Sequence, residues 1–168
     1  VDEIVGDKEI GRRSIHRIGD ARAVGGHLLG AGFHRADDVA GDGGARIIVF
    51  PEMATSGYIW RSREEILPSA DTADGRLFNS LSPVAARRES WIICGFPEIS
   101  NGTLYNSALV IAPDGSLCCC YRKVLLFDAD LSWAEAGNTR CIIRSGYGTL
   151  APGICMDLND DGFTSFAR

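Results

Sequence analysis

The first 44 residues carry no sustained hydrophobic period. Glycine recurs through them, at Gly6, Gly11, Gly19, Gly25, Gly26, Gly30, Gly32, Gly41, Gly43 and Gly44, with Arg and Asp interspersed. Only Ala21–Leu29 has a faint helical pattern, and Gly25 and Gly26 each cost it about 1 kcal/mol against Ala. From Ala45 the pattern sharpens. Ile47, Ile48, Val49 and Phe50 form a short apolar, β-branched run closed by Pro51. This predicts a buried strand, with Glu52 just past its C-terminal end.

Residues 62–70 and 75–90 predict helices. The second places Leu77, Phe78, Leu81, Val84, Ala85 and Ala86 at helical spacing, with Pro83 as a point of interruption. Trp91 to Cys94 predict a second buried strand, stopped by Gly95, Phe96 and Pro97. Leu104–Ile111 and Leu117–Tyr121 predict a hairpin around a turn at Pro113, Asp114 and Gly115. Lys123 follows the hairpin at once. Cys141–Arg144 and Leu150–Met156 predict two further strands. Helices and strands alternate early and a hairpin sits in the middle, which predicts an α/β protein with a mixed sheet.

Length and composition fit one domain, residues 1–168. Hydrophobic residues make up 45% of the 168 positions, enough for a core, and the net charge is −5. No cluster of Lys and Arg offers a nucleic-acid surface. No apolar run approaches the roughly 20 residues of a membrane-spanning helix. The first residues lack the basic-then-apolar layout of a signal peptide, so a cytoplasmic location is expected.

Six cysteines are present: Cys94, Cys118, Cys119, Cys120, Cys141 and Cys155. Free thiols packed in strands are the expectation. A metal site is disfavoured, because Cys118, Cys119 and Cys120 lack C-x-x-C spacing and alternate between strand faces. Gly25, Gly26, Gly30 and Gly32 have no Gly-Lys-Ser/Thr after them, so a phosphate loop is not expected.

Cys155 lies at the end of an apolar segment, where a rigid scaffold delivers a side chain to a cleft. A cysteine nucleophile needs a base or a lowered pKa. The three histidines, His16, His27 and His34, all lie in the poorly patterned N-terminal region. Carboxylate and lysine offer another route. Glu52 and Lys123 each follow a predicted strand, and in one sheet they would converge with Cys155. Glu52 would take the thiol proton, and Lys123 would hold positive charge near a developing oxyanion. Taken singly, each residue has a plainer reading: a strand-end carboxylate, a solvated lysine, a buried thiol.

The surrounding residues favour the convergent reading. Phe50, Pro51 and Glu52 resemble the "FPE" element of the nitrilase superfamily of carbon–nitrogen hydrolases. Tyr121 to Phe127 resemble its "YRKxxLF" element, and Gly153 to Asp157 its "GxxCxD" element. These come in the family's order, and the filler at Gly95 to Glu98, Tyr105 to Ser107 and Pro113 to Gly115 is similar too. The resemblance spans residues 45–160. Asp130, Trp133 and Cys155 to Asn159 look closest to the branch near protein N-terminal amidases.

The resemblance implies a partial αββα sandwich and chemistry without cofactor or metal. It implies a Cys155 thioester formed on an amide, less readily a nitrile, with ammonia or an amine leaving. Glu52 would be the general acid and base. Lys123, with a backbone N–H beside Cys155, would hold the oxyanion. Family members carry a second carboxylate soon after the lysine; Asp130 is the first candidate here and Glu135 the second. Tyr58, Trp60, Trp133 and Met156 are candidate pocket residues. Glu98, Tyr105, Asn106 and Asp157 are expected to pack or brace loops. The substrate would be a small amide or a peptide N-terminus.

The family pattern continues past position 168, so a partial domain is expected, with an open apolar sheet face that favours homo-oligomers or a partner. Two other functions fit the same residues: a non-catalytic half-domain, and an acyltransferase using the same thioester.

Overall fold

The computed structural model describes residues 16–17 and 44–167. The faint helical pattern at 21–29 lies outside them, as do His27 and His34.

Five strands form one mixed sheet in the order β1-β2-β3-β4-β5. They are β1 (His16–Arg17), β2 (Ile47–Val49), β3 (Trp91–Ser100), β4 (Thr103–Ile111) and β5 (Leu117–Arg122). The first three run parallel, and β3, β4 and β5 pair antiparallel. The expected α/β class with a mixed sheet is the class observed. β1 is a strand the sequence pattern did not indicate.

Two departures from the expected strands have physical causes. β3 does not stop at Gly95–Pro97 but runs ten residues, to Ser100. It turns into β4 through Asn101 and Gly102, both at positive φ (49° and 80°), the pairing that suits a tight hairpin. Pro97 survives in the strand because of where its missing N–H falls. Ile99, two residues on, directs its N–H to Asp71 at 2.8 Å, beyond the end of β2. Pro97 therefore costs no bond in the β3–β4 ladder.

The second departure concerns Cys155. No strand spans Leu150–Met156. A two-stranded unit, β6 (Ile143–Ser145) and β7 (Gly148–Leu150), ends before Pro152. Cys155 instead opens a 3₁₀ turn, Cys155–Asn159, at φ 47°.

Helix α1 (Arg63–Ile66) is short, and α2 (Arg76–Arg88) is the main helix. Asp71 Oδ2 accepts the Leu77 N–H at 2.8 Å and caps the start of α2. Pro83 sits inside α2 without ending it. Leu77, Leu81, Val84 and Ala85 bury that face against Ile48, Ile92, Phe96 and Leu109 of the sheet, which offsets a proline cost of about 3 kcal/mol.

Later chain covers part of the opposite sheet face. Ile143 of β6 packs on Trp91 and Val110, and Ile154 packs on Ala108 and Tyr121. A last helix, α3 (Asp161–Phe166), starts at Asp160, whose side chain accepts the Phe163 N–H. Free thiols throughout were expected, and here the structure corrects the reading: Cys119 of β5 and Cys141 form a disulfide. Alternation along β5 turns Cys119 toward the face that the segment around Cys141 covers. Cys94, Cys118, Cys120 and Cys155 are free.

Candidate active site

Glu52 is delivered by the turn after β2. Phe50 N–H bonds Ile93 O at 2.8 Å and Ala54 N–H bonds Gly95 O at 2.9 Å, so the turn is stitched onto β3. The approach is close. A Cβ on Gly95 would stand 2.5 Å from Pro51 O and 2.7 Å from Glu52 Cα. Only glycine admits that backbone, so Gly95 sets the position of Glu52.

Lys123 is the first residue past β5. Its N–H bonds Asn106 O at 2.8 Å and its carbonyl accepts the Gly137 N–H at 2.8 Å. The side chain is 1% exposed. Its ammonium donates to Glu52 Oε1 at 2.8 Å and to Asp130 Oδ2 at 2.6 Å. Burial works against the charge on Lys123, and the carboxylates of Asp130 and Glu52 outweigh it, so its pKa stands above the ordinary lysine value.

Asp130 lies in a 3₁₀ turn, Asp130–Ser132. Its carboxylate also accepts the Phe127 N–H at 3.0 Å and an Asn106 Nδ2 bond at 3.1 Å. The same Nδ2 donates to Glu52 Oε1 at 2.8 Å. Asn106 is fully buried and holds both carboxylates around one ammonium. Sequence reasoning left it as a packing residue. The available signal was a polar amide inside the apolar run Leu104–Ile111.

Cys155 is exposed and lines one cavity with Glu52, Tyr58, Phe50, Ala108 and Ile154, about 470 Å³ in volume. Its left-handed φ is uncommon for a residue with a Cβ, and such strain concentrates where a fixed side-chain direction is needed. Asp157 braces this segment. Its carboxylate accepts the backbone N–H groups of Val124, Leu125 and Ile154, each at 2.9 Å, and the Tyr121 hydroxyl at 2.8 Å.

The structure thus brings together Glu52, Lys123 and Asp130, with Cys155 and Tyr58 on the shared cavity. Tyr58 donates its hydroxyl to Glu52 Oε2. The other candidates lie elsewhere. Glu135 is exposed and, with Trp133, lines a second cavity beside Arg63 and Thr103. Trp133 is buried with Met53, Ile66 and Leu104, and Trp60 packs against that cluster. Met156 is half-buried, its sulfur accepting from Asn159 Nδ2 at 3.5 Å. Glu98 is a buried residue of β3, not of a loop; it accepts from Ser107 and pairs with Arg122 at 2.6 Å. Among the described residues no three His, Cys, Asp or Glu side chains are grouped to hold a metal ion. None of the described helices is long and apolar enough to cross a membrane.

This scaffold is that of the nitrilase-type amidases. An N-terminal amidase crystallised with an Asn-Glu-Ala peptide superposes with a TM-score of 0.61 at 31% identity, covering 74% of this chain and 34% of that one. A "Protein N-terminal amidase" of Schizosaccharomyces pombe is 35% identical over 129 residues, 70% of this chain. A human omega-amidase is 33% identical over 125 residues, 68% of this chain. The chain spans 44% of the length of each of these two relatives. The Carbon-nitrogen hydrolase family model matches residues 15–159, and the chain belongs to that family.

Proposed function

We propose that this chain carries the catalytic set of an amidase that cleaves a non-peptide C–N bond through a thioester on Cys155. The observation that carries the reading is the shared cavity: Cys155 and Glu52 line it together, and the buried Lys123 is ion-paired to Glu52 from behind.

Glu52 takes the thiol proton, and the Cys155 sulfur attacks the amide carbonyl carbon. Lys123 has three N–H bonds, and Glu52 and Asp130 take two of them. The third is available to the oxyanion. Asp130 and Asn106 keep the ammonium in place. Collapse of the tetrahedral adduct breaks the C–N bond, and the amine or ammonia leaves with the proton from Glu52. Water then attacks the thioester while Glu52 accepts its proton. The C–S bond breaks, and the acid departs.

The substrate class we infer is a primary amide, with the side-chain amide of an N-terminal Asn or Gln as the first candidate. The identity to N-terminal amidases and the peptide-bound structure of one of them support it.

The test is ammonia release from small amides, nitriles and peptides beginning with Asn or Gln, comparing the chain with Cys155→Ala at matched folded concentration. Turnover lost in the variant supports the reading. Turnover that survives in the variant overturns the Cys155 mechanism. Absence of turnover from a folded chain overturns the claim that these 168 residues act as an amidase on their own.

A further inference from the structure

The two oxygens of Glu52 are held in different ways. Oε1 takes two donors, Lys123 Nζ and Asn106 Nδ2, both at 2.8 Å. Both donors are buried, Asn106 in β4 and Lys123 just past β5. An sp² oxygen has two lone pairs, so Oε1 is filled. Oε2 takes one donor, the Tyr58 hydroxyl. The acceptor capacity left for a proton is therefore on the oxygen that Tyr58 shares.

Tyr58 differs from the other two donors in placement. It is 55% exposed and lines the cavity alongside Cys155. Its neighbours are anchored: Gly57 N–H bonds Met53 O at 2.9 Å, and Trp60 Nε1 bonds Gly57 O at 3.0 Å. The phenol is thus presented from a turn fastened at both ends. Burial and the Glu52 carboxylate push its ionisation above the ordinary tyrosine range, and it lies within electrostatic reach of Cys155 and Asp130. It acts here as a hydrogen-bond donor.

We propose that Tyr58 is a positioning residue for the reaction: its hydroxyl holds Glu52 Oε2 at the wall of the cavity it shares with Cys155, and so fixes the oxygen that receives the thiol proton. The inference rests on the amidase reading only for its use in turnover, since the contact itself stands in the free protein. A hydroxyl bonds a charged acceptor about twice as strongly as a neutral one. Glu52, Lys123, Asp130, Tyr58 and Cys155 are the groups that face one another here, and Tyr58 is the one whose polar atom is removed by a single-oxygen change.

The experiment follows the rate at which iodoacetamide alkylates Cys155, read on the Cys155 peptide by mass, as a function of pH. It compares the wild-type chain, Tyr58→Phe and Glu52→Gln, with pH profiles of amide turnover recorded in parallel. The acid limb of the alkylation profile in Tyr58→Phe is expected to move to higher pH by about one unit. Glu52→Gln is expected to flatten that limb. A purely packing role for the ring would leave the limb unmoved, because Phe keeps the ring.

A second measurement guards against misfolding of Tyr58→Phe. In folded Glu52→Gln, ultraviolet titration is expected to find the Tyr58 phenol ionising at lower pH than in wild type. An unmoved alkylation limb in folded Tyr58→Phe overturns the proposal, as does an unmoved phenol in Glu52→Gln. Loss of the amidase reading is a separate result: no Cys155-dependent turnover in wild type, with the alkylation shift still present.

Discussion

The carboxylate of Asp157 accepts the backbone N–H of Val124 at 2.9 Å. One buried side chain thereby fastens the segment that carries Cys155 to the segment that follows Lys123. It also takes Leu125 N–H, Ile154 N–H and the Tyr121 hydroxyl. Asp157→Ala would strand four donors, each costing about 1 to 3 kcal/mol when left unsatisfied in the interior. Relaxation and water entry recover part of that. Urea unfolding is expected to show a loss of about 3 kcal/mol or more. A loss within the scatter of a surface substitution would mean that the bracing is not energetically important.

Lys123 makes the stability depend on high pH. Burial opposes its charge and the carboxylates of Asp130 and Glu52 overcome that, so its pKa is raised on folding. A raised basic pKa contributes stability that is fully present below the unfolded value, about 10.4 for lysine, and is lost as pH climbs through the folded value. Thermal melts are expected to lose stability from this source only above that unfolded value. Lys123→Met removes the dependence and leaves two buried carboxylates without their cation. The expected cost is about 3 to 5 kcal/mol near neutral pH. Identical alkaline melting curves for wild type and variant would contradict this account.

The Cys119–Cys141 disulfide closes a loop with a sequence separation of 22. Loop-closure entropy gives it about 3 kcal/mol of stabilisation. Alkylation of the denatured chain without reductant is expected to label only Cys94, Cys118, Cys120 and Cys155. With reductant, Cys119 and Cys141 join them. The reduced protein is expected to melt lower. Six labels without reductant would show that the two thiols are not joined.

Much of this architecture was legible in the sequence because it rests on local signals. The apolar run before Pro51 marked β2, the turn at Gly115 marked the β4–β5 hairpin, and the apolar spacing from Leu77 to Ala85 marked α2. Glu52, Lys123 and Cys155 stood in recognisable order. What escaped depended on partners far away in the chain. Gly95 and Pro97 look like a strand stop until one knows that Glu52 must pass over the first, and that the second faces Asp71 and not β4, so its missing N–H costs the hairpin nothing. Asn106 looks like one polar residue in a strand until two carboxylates and a lysine close around it. The disulfide needed the face of β5 on which Cys119 points, which spacing between cysteines does not encode.

The backbone at Cys155 makes a prediction that runs against the usual rule. In most settings Ala is more stable than Gly by roughly 0.5 to 1 kcal/mol, because Gly loses more freedom on folding. Cys155 has φ 47°, in the left-handed region. There a Cβ meets the following carbonyl oxygen at a cost of about 1 to 2 kcal/mol, a cost Gly avoids. Cys155→Ala and Cys155→Gly both remove the thiol, so the comparison isolates the backbone. Because position 155 is exposed, neither change opens a cavity in the core. The Gly variant is therefore expected to equal or exceed the Ala variant, by up to about 1 kcal/mol in chemical unfolding. An Ala variant clearly more stable than the Gly variant would mean that the residue relaxes out of the left-handed region, and that the thiol is not held in a fixed direction. The stated order of stabilities would instead mark the strain as the cost of aiming the Cys155 side chain into the cavity it shares with Glu52.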